Sequence, residues 1–190
     1  MKIEVTESNE KWLRFTLKGA KSSFANAIRR AAISGVATFA IEKVTFYENT
    51  SAMFDEYISH RVGLVPITTP AKGYGPEDEV LFTLDEVGPK TVYSKDLQAS
   101  DKEVKVANGE IPIIKLAENQ RLRLDGKAVM GTANRHAKFQ PGLVTYDADK
   151  DTYNFYVESF GQMPPKEILN KTFDAIKDAL KDVQKEVKKL

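Results

Sequence analysis

The chain begins with a pattern of alternating apolar and polar residues, which is typical of β-strands that bury one face. The pattern occurs in two runs, and a polar stretch at residues 8–11 separates them. The apolar positions are Ile3 and Val5 in the first run and Leu13, Phe15 and Leu17 in the second. We therefore predict a β-hairpin at the start of the chain, with its turn at residues 8–11.

Helical spacing replaces this alternation after Gly19. The apolar residues that follow it are Phe24, Ala27, Ile28 and Ala31. Ser22 or Ser23 is placed to cap the N-terminus of this helix, and Gly35 is placed to end it. Residues 36–47 are rich in β-branched and aromatic side chains, which predicts a strand, and residues 53–58 predict a short helix.

The middle of the chain, from about residue 68 to residue 151, differs in composition from the two ends. Most glycines and prolines of the chain lie there, and its apolar runs are short. This pattern predicts a β-rich insertion with many loops. Strand character returns over residues 153–159, and Pro164 and Pro165 then mark the first turn of a helix that extends to the C-terminus.

The C-terminal helix has an apolar seam whose members alternate at intervals of four and three. They are Leu169, Phe173, Ile176, Leu180, Val183, Val187 and Leu190. A strict period of 3.5 residues is typical of a helix that packs against a partner helix, whereas a period of 3.6 is typical of a helix on a globular core. Periodicity alone leaves both interpretations open: a partner helix, or the chain's own sheet.

Composition narrows the possible functions. The chain has 190 residues, of which 42% are hydrophobic, so it can form one domain or two small ones. Its net charge is +1, and no clustered basic stripe of the kind that binds nucleic acid occurs. The lysines of residues 177–190 alternate with Asp and Glu, as in a solvated helix face.

The chain also lacks any obvious catalytic or metal-binding motif. It contains no cysteine, which excludes disulfides, thiolate zinc sites, iron–sulfur clusters and a cysteine nucleophile. His60 and His136 have no second ligand at metal-binding spacing, and no phosphate-binding glycine motif occurs. We predict no catalytic residue, no metal and no cofactor. An α+β enzyme that uses His60 or His136 stays as an alternative.

The sequence also bears on cellular location and on surface chemistry. No apolar stretch approaches the length of a membrane span or of a signal-peptide core, which predicts a soluble, cytoplasmic protein. Arg29 and Arg30 lie side by side on a helix of small apolar residues. They are either part of a solvated polar face or part of a protein interface. The neighbouring alanines, which let another backbone approach closely, favour the interface.

A series of motifs resembles one known family. In chain order they are Asn26-Ala27-Ile28-Arg29-Arg30, Ala40-Ile41-Glu42-Lys43-Val44, Asn49-Thr50-Ser51, Asp55-Glu56 and His60-Arg61-Val62-Gly63-Leu64-Val65-Pro66-Ile67. Together they closely resemble the N-terminal signature of the family that contains the archaeal D, eukaryotic third-largest and bacterial alpha subunits of RNA polymerase. The segment from His136 to Pro141 is similar to the archaeal and eukaryotic branch. The resemblance covers essentially the whole chain.

The resemblance implies an α+β fold with two domains. Residues 1–50 and 150–190 would form a discontinuous dimerisation domain, a sheet with two helices, and residues 51–149 a mostly-β insert domain. The implied dimer interface lies on the first and last helices. Its residues are Phe24, Ala27, Ile28, Ala31, Leu169, Phe173, Ile176, Leu180, Val183 and Val187.

The resemblance also implies a function. The chain would be a non-catalytic platform subunit of DNA-directed RNA polymerase that forms a heterodimer with subunit L. The pair would then recruit the small subunits N and P, followed by the second-largest and largest subunits. The outward assembly surface would comprise Arg29, Arg30, His60, Arg61, His136 and Lys138. A homodimeric alpha-like protein is the other alternative within the family.

Two departures from the family pattern limit this function. Some archaeal members carry a cysteine-rich, ferredoxin-like insertion, whereas residues 144–152 lead directly into the last strand here. This is therefore expected to be the short form without an iron–sulfur cluster. Bacterial alpha subunits continue into a DNA-binding domain after the last helix, and this sequence ends at Leu190. Direct contact with nucleic acid is accordingly not expected.

Overall fold

The elements of secondary structure follow the predicted order closely. A computed structural model describes residues 1–189. Along the chain it contains β1 (Lys2–Ser8), β2 (Trp12–Lys18), α1 (Ser22–Ser34), β3 (Thr38–Asn49), α2 (Asp55–Gly63), β4 (Glu79–Val87), β5 (Lys90–Tyr93), β6 (Gln98–Ala99), β7 (Pro112–Leu116), β8 (Arg121–Gly131), β9 (Gly142–Asp149), β10 (Thr152–Ser159) and α3 (Pro165–Val187). The predicted hairpin, first helix, last strand and last helix are confirmed.

The chain divides into two compact units. Unit 1 contains Met1–Ala37 and the described part of the chain from Thr132 onward, and unit 2 contains Thr38–Gly131. Unit 1 is thus discontinuous and unit 2 is inserted into it. The α+β fold class with a discontinuous domain and a mostly-β insertion is confirmed.

Unit 1 is a four-stranded antiparallel sheet with two helices on one face. The strand order is β1-β2-β10-β9. Helix α1 packs on β9 and on α3, and α3 packs on β10 and β2. Phe15 of β2 stacks on Phe155 of β10, with ring centroids 4.7 Å apart, in a core that also contains Leu17 and Ile28. Alternate residues of β2 and β10 point into this core, as their period of two predicts.

Unit 2 has its own sheets and its own core. Its larger sheet has the order β3-β8-β4-β6, and β5 and β7 form a second, two-stranded sheet. Helix α2 packs on β3 and β7. Phe39, Phe82 and Ile113 are fully buried between these elements. Each unit therefore buries its apolar side chains independently.

The boundaries between the units differ from the predicted domain boundaries. We expected them after residue 50 and after residue 149, but the units divide after Ala37 and after Gly131. Strand β3 belongs to unit 2 because it pairs with β8 along its length, from Thr38 to Asn49. Strand β9 belongs to unit 1 because each of its residues pairs with β10. Long-range strand pairing, which local patterns do not reveal, determines both boundaries.

Two local predictions need correction. Neither Ser22 nor Ser23 caps α1, because Lys21 occupies the extended N-cap position and its side chain makes no capping hydrogen bond. Helix α2 was predicted at residues 53–58, but it is longer and begins later, at Asp55, and it ends at Gly63. It continues through His60 because Ile58 and Val62, one turn apart, are both fully buried.

Candidate protein–protein interface

The apolar seam of α3 has two parts with different environments. Leu169, Phe173 and Ile176 are partly buried and pack against the core of unit 1. Leu180, Val183 and Val187, in the second half of the helix, are 64%, 62% and 59% exposed. Leu190, the last predicted member of the seam, lies outside the described residues. The chain's own core therefore accounts for the first half of the seam only.

The length of α3 explains this division. Its 23 residues extend for about 35 Å, which exceeds both the width of four strands, about 20 Å, and the length of β2 and β10, about 25 Å. Helix α3 packs on β10, β2 and α1, and its residues that pack in or on the core of unit 1 lie in its first half. Three large aliphatic side chains at helical spacing remain in water.

The opposite flank of α3 is fully polar. Four exposed ion pairs at a spacing of three residues follow one another along it: Asp174–Lys177, Asp178–Lys181, Asp182–Lys185 and Glu186–Lys189. The hydrogen bond from Lys181 lowers the pKa of Asp178 and raises that of Lys181. Such exposed pairs contribute little to stability. They keep one flank of the helix solvated and leave the apolar seam as the surface that a partner can cover.

Helix α1 places the predicted interface residues at different depths. Phe24 and Ala31 are partly buried, and Ala27 is exposed. Ile28 is fully buried in the core of unit 1, so it supports the surface from beneath and does not line it. Helix α1 packs beside α3, and Ala27 and Ala31 are small side chains that α1 leaves exposed or partly exposed.

The edge strand β1 adds apolar surface that the sequence did not identify as an interface. Ile3 pairs with Leu17 and Val5 pairs with Phe15, so both point to the face of the sheet that carries the helices. Leu17 and Phe15 are buried, whereas Ile3 and Val5 are 48% and 61% exposed. The helices pack on the other three strands. In the sequence, Ile3 and Val5 are marked only by their alternation with polar residues. This alternation predicts a strand, but it does not show whether another element covers its apolar face.

Arg29 and Arg30 have different surroundings on α1. The Arg29 guanidinium donates hydrogen bonds to Oδ1 of Asn26 from Nε at 3.3 Å and from Nη2 at 2.9 Å. Arg30 is exposed. An arginine that an asparagine already orients loses less conformational entropy on binding a carboxylate. Both interpretations of the pair, a solvated face and an interface, are compatible with these positions.

The loop that precedes β9 presents two further predicted residues. His136 is exposed, and its Nδ1 accepts a hydrogen bond from the Lys138 backbone N–H at 3.1 Å. The Lys138 ammonium lies 5.4 Å from the centre of the Phe139 ring. Phe139 is fully buried and anchors the short 3-10 helix over Ala137–Phe139. The buried ring therefore holds both polar side chains at the surface of unit 1.

His60 and Arg61 lie in the last turn of α2, in unit 2, and both are exposed. The Arg61 guanidinium donates a short hydrogen bond to the Pro112 carbonyl of β7. The six predicted assembly residues are thus distributed over both units, with four in unit 1 and two in unit 2. Within residues 1–189, no group of three or more His, Asp and Glu side chains is arranged to hold a metal ion. No helix in that part of the chain combines the length and apolar character that crossing a bilayer requires.

Comparison with known proteins identifies the family of this chain. Residues 14–180 match the family model described as the RNA polymerase Rpb3/Rpb11 dimerisation domain. The match includes most of each segment of unit 1 and all of unit 2. The chain belongs to this family.

Curated relatives within the family are archaeal proteins named DNA-directed RNA polymerase subunit Rpo3, which is the archaeal D chain of the polymerase. The relative from Methanocaldococcus jannaschii is 46% identical over 166 residues, which cover 86% of this chain and 84% of that protein. The relative from Pyrococcus furiosus is 44% identical over 152 residues, which cover 77% of this chain. The matched region spans 58% of the Pyrococcus protein, which is less than two thirds of its length. The resemblance seen in the sequence motifs is confirmed.

Proposed function

We propose that this chain is a non-catalytic platform subunit of a multisubunit DNA-directed RNA polymerase and that it pairs with the smaller subunit L. The names of its archaeal relatives support the polymerase assignment. The observation that carries the pairing is the exposed second half of the α3 seam. Unit 1 would serve as the dimerisation domain and unit 2 as the insert domain.

The exposed seam has the chemistry that a partner helix requires. Complete burial of an aliphatic side chain of this size contributes about 1.5 to 3 kcal/mol. Leu180, Val183 and Val187 are 64%, 62% and 59% exposed, so covering the rest of them offers roughly 3 to 5 kcal/mol in total. Association costs consume a large share of such a sum. Ile3 and Val5 of β1 and the small residues of α1 would supply further contact area. An exposed stripe of this kind also makes the isolated chain prone to aggregate.

The subsequent assembly steps are part of the same proposal, which the names of the archaeal relatives support only as far as a polymerase subunit. The pair of this chain with L would recruit subunits N and P and then the second-largest and largest subunits. Arg29 and Arg30 on α1, His136 and Lys138 in the loop before β9, and His60 and Arg61 on α2 are the proposed contacts. Their exposed or partly exposed polar groups suit the rim of a protein interface.

Replacement of Leu180 and Val183 by glutamate tests the pairing. We expect wild-type chain co-expressed with a candidate subunit L to give a one-to-one heterodimer by light scattering. The double variant Leu180→Glu/Val183→Glu should lose this complex, because two carboxylates would enter the apolar contact. Far-UV circular dichroism should stay unchanged, since both side chains are exposed. Lys185→Glu, on the polar flank, is the matched control and should retain the heterodimer.

The outcome also separates the alternatives. A wild-type homodimer that ignores L would support a homodimeric alpha-like protein. A stable wild-type monomer without affinity for L would contradict the platform function.

A further inference from the structure

A groove of about 800 Å³ opens beside α2 in unit 2. Residues of the segment before α2, of α2 itself and of β7 contribute to its lining. The groove includes the predicted assembly residues His60 and Arg61, but most of its lining was not identified from the sequence. Its chemistry is divided between an apolar part and a basic part.

Aromatic rings dominate the apolar part. Phe54 and Tyr57 are 70% and 64% exposed, and their ring centroids lie 6.4 Å apart with an angle of 28° between the planes. Met53 and Ile114 complete this side of the groove. Large exposed aromatic side chains beside a concave surface are typical of protein-binding sites and of their hot spots.

The basic part comprises His60, Arg61 and Lys115, and no Asp or Glu is among the lining residues. Among residues 1–189, neither Arg61 nor Lys115 forms an ion pair with a carboxylate. Asp55, at the start of α2, accepts a hydrogen bond from Nδ2 of Asn49 at 2.7 Å and does not line the groove. Arg61 and Lys115 therefore place two positive charges in the lining, next to exposed aromatic rings.

Arg61 is also held in place. Its hydrogen bond to the Pro112 carbonyl fixes the guanidinium against β7, the strand that also carries Lys115. A preoriented cation costs less conformational entropy when it binds an anion. The remaining guanidinium N–H groups suit a carboxylate, whose oxygens accept them in a shared plane.

We propose that this groove binds a segment of another protein in which Asp or Glu flanks a large apolar side chain. The apolar side chain would pack against the exposed rings of Phe54 and Tyr57, and the carboxylates would pair with Arg61 and Lys115. The proposal deepens the proposed assembly function and rests on it, since another polymerase subunit would supply the segment. Single-stranded nucleic acid suits the groove less well, because phosphate binding requires a longer row of cations than Arg61 and Lys115 provide.

Fluorescence anisotropy with two labelled peptides tests the proposal on the full chain in complex with subunit L. One peptide alternates Glu with Leu and Phe, and its matched control has Lys at each Glu position. We expect the acidic peptide to bind at least about tenfold more tightly than the lysine peptide. Lys115→Glu should weaken acidic-peptide binding about fivefold, and Tyr57→Ala about tenfold or more.

Two controls distinguish the groove from general charge and from misfolding. Lys102→Glu reverses an exposed charge of unit 2 that does not line the groove, and it should change the affinity less than about twofold. Circular dichroism should be unaltered in all variants, because the substituted side chains are exposed.

Several outcomes would overturn the proposal. They are equal binding of the two peptides, no binding of the acidic peptide up to about 1 mM, or tighter binding of a labelled oligothymidylate. None of these results tests the pairing with L, because formation of the complex is measured separately by light scattering. Conversely, acidic-peptide binding by a chain that does not pair with L would support the groove and count against the platform function.

Discussion

At the residue scale, the hydrogen bond between Tyr74 and Asp101 is one of several that anchor the long loop before β4. The Tyr74 hydroxyl donates to Oδ2 of Asp101 at 2.8 Å, and the Tyr74 ring meets Phe39 edge-on at 5.4 Å. The hydrogen bond to Asp101, with burial as a second cause, raises the pKa of Tyr74 to about 12. The backbone N–H of Glu103 and the Tyr74 hydroxyl hold the pKa of Asp101 below its usual value.

These shifts predict how the stability of unit 2 changes with pH. Because the folded pKa of Tyr74 lies above its ordinary value of 10.0, its contribution to stability is complete below pH 10 and is lost as the pH rises towards about 12. We expect the difference in unfolding free energy between wild type and Tyr74→Phe to be constant near neutral pH. It should shrink between pH 10 and about 12.

Urea denaturation of both proteins at a series of pH values measures this difference. Tyr57→Phe, at an exposed phenol with no hydrogen-bond partner among the described residues, controls for the loss of a hydroxyl. A difference between wild type and Tyr74→Phe that stays constant to pH 12 would show that the Asp101 hydrogen bond does not couple to folding.

At the element scale, helix α1 is stabilised by the packing of its buried face and not by capping at its N-terminus. Its N-cap position is Lys21, which has extended backbone angles but no capping side chain, and its first turn contains no acidic residue. A cation at this end also opposes the helix dipole. Ala25, Ile28 and Ala32 are fully buried, and this apolar face maintains the helix despite the unfavourable start.

A better N-cap should therefore stabilise unit 1. Lys21→Asp is expected to raise the unfolding free energy by about 1 kcal/mol, because aspartate can accept a hydrogen bond from a free N–H of the first turn. Urea denaturation followed by circular dichroism measures the change. Lys21→Ala removes the charge without adding a cap and should have a smaller effect. Equal gains from the two substitutions would mean that relief of the lysine charge, and not capping, is the cause.

Helix α3 shows why its periodicity left two interpretations open. The first three seam residues pack on the chain's own core, and the last three described ones are exposed. Both environments select the same side chains at the same spacing, since each requires an apolar stripe along one side of a helix. The pattern therefore could not locate the point, between Ile176 and Leu180, at which the core ends.

The organisation into two units is the main feature at the scale of the whole molecule. Among residues 1–189, strands of unit 2 pair only with strands of the same unit, and the same holds for unit 1. Thr38 and Gly131, the first and last residues of unit 2, are direct partners across β3 and β8. The two connections between the units thus lie about 5 Å apart at this pair. Such close ends are typical of inserted domains.

We accordingly predict that residues 38–131 fold without the rest of the chain. The isolated fragment should unfold cooperatively in urea and give dispersed amide proton resonances, because its core and all its strand pairs are internal. The complementary protein, with Ala37 joined to Thr132 through a short Gly/Ser linker, should keep the helical circular dichroism of α1 and α3. A fragment with random-coil spectra would show that unit 2 depends on unit 1.

Several features of this protein follow from the sequence by itself. The opening hairpin, α1, β10 and α3 were predictable because their hydrophobic periods are local, and the order of the motifs predicted the family. The sequence also showed which predicted interface residues are apolar and which are polar or basic. Exposure of Ile3 and Val5 could not be predicted, because alternation identifies the face of a strand but not what covers that face.

Only the tertiary structure decided the features that depend on distant parts of the chain. Strand pairing placed the unit boundaries after Ala37 and after Gly131, and the extent of the unit 1 core determined which half of the α3 seam is exposed. The packing of α2 against β7 brings Tyr57 and Lys115 into one groove, although 57 positions separate them in the chain. Periodicity reports the environment of a residue within its own element, whereas grooves and boundaries arise from contacts between elements.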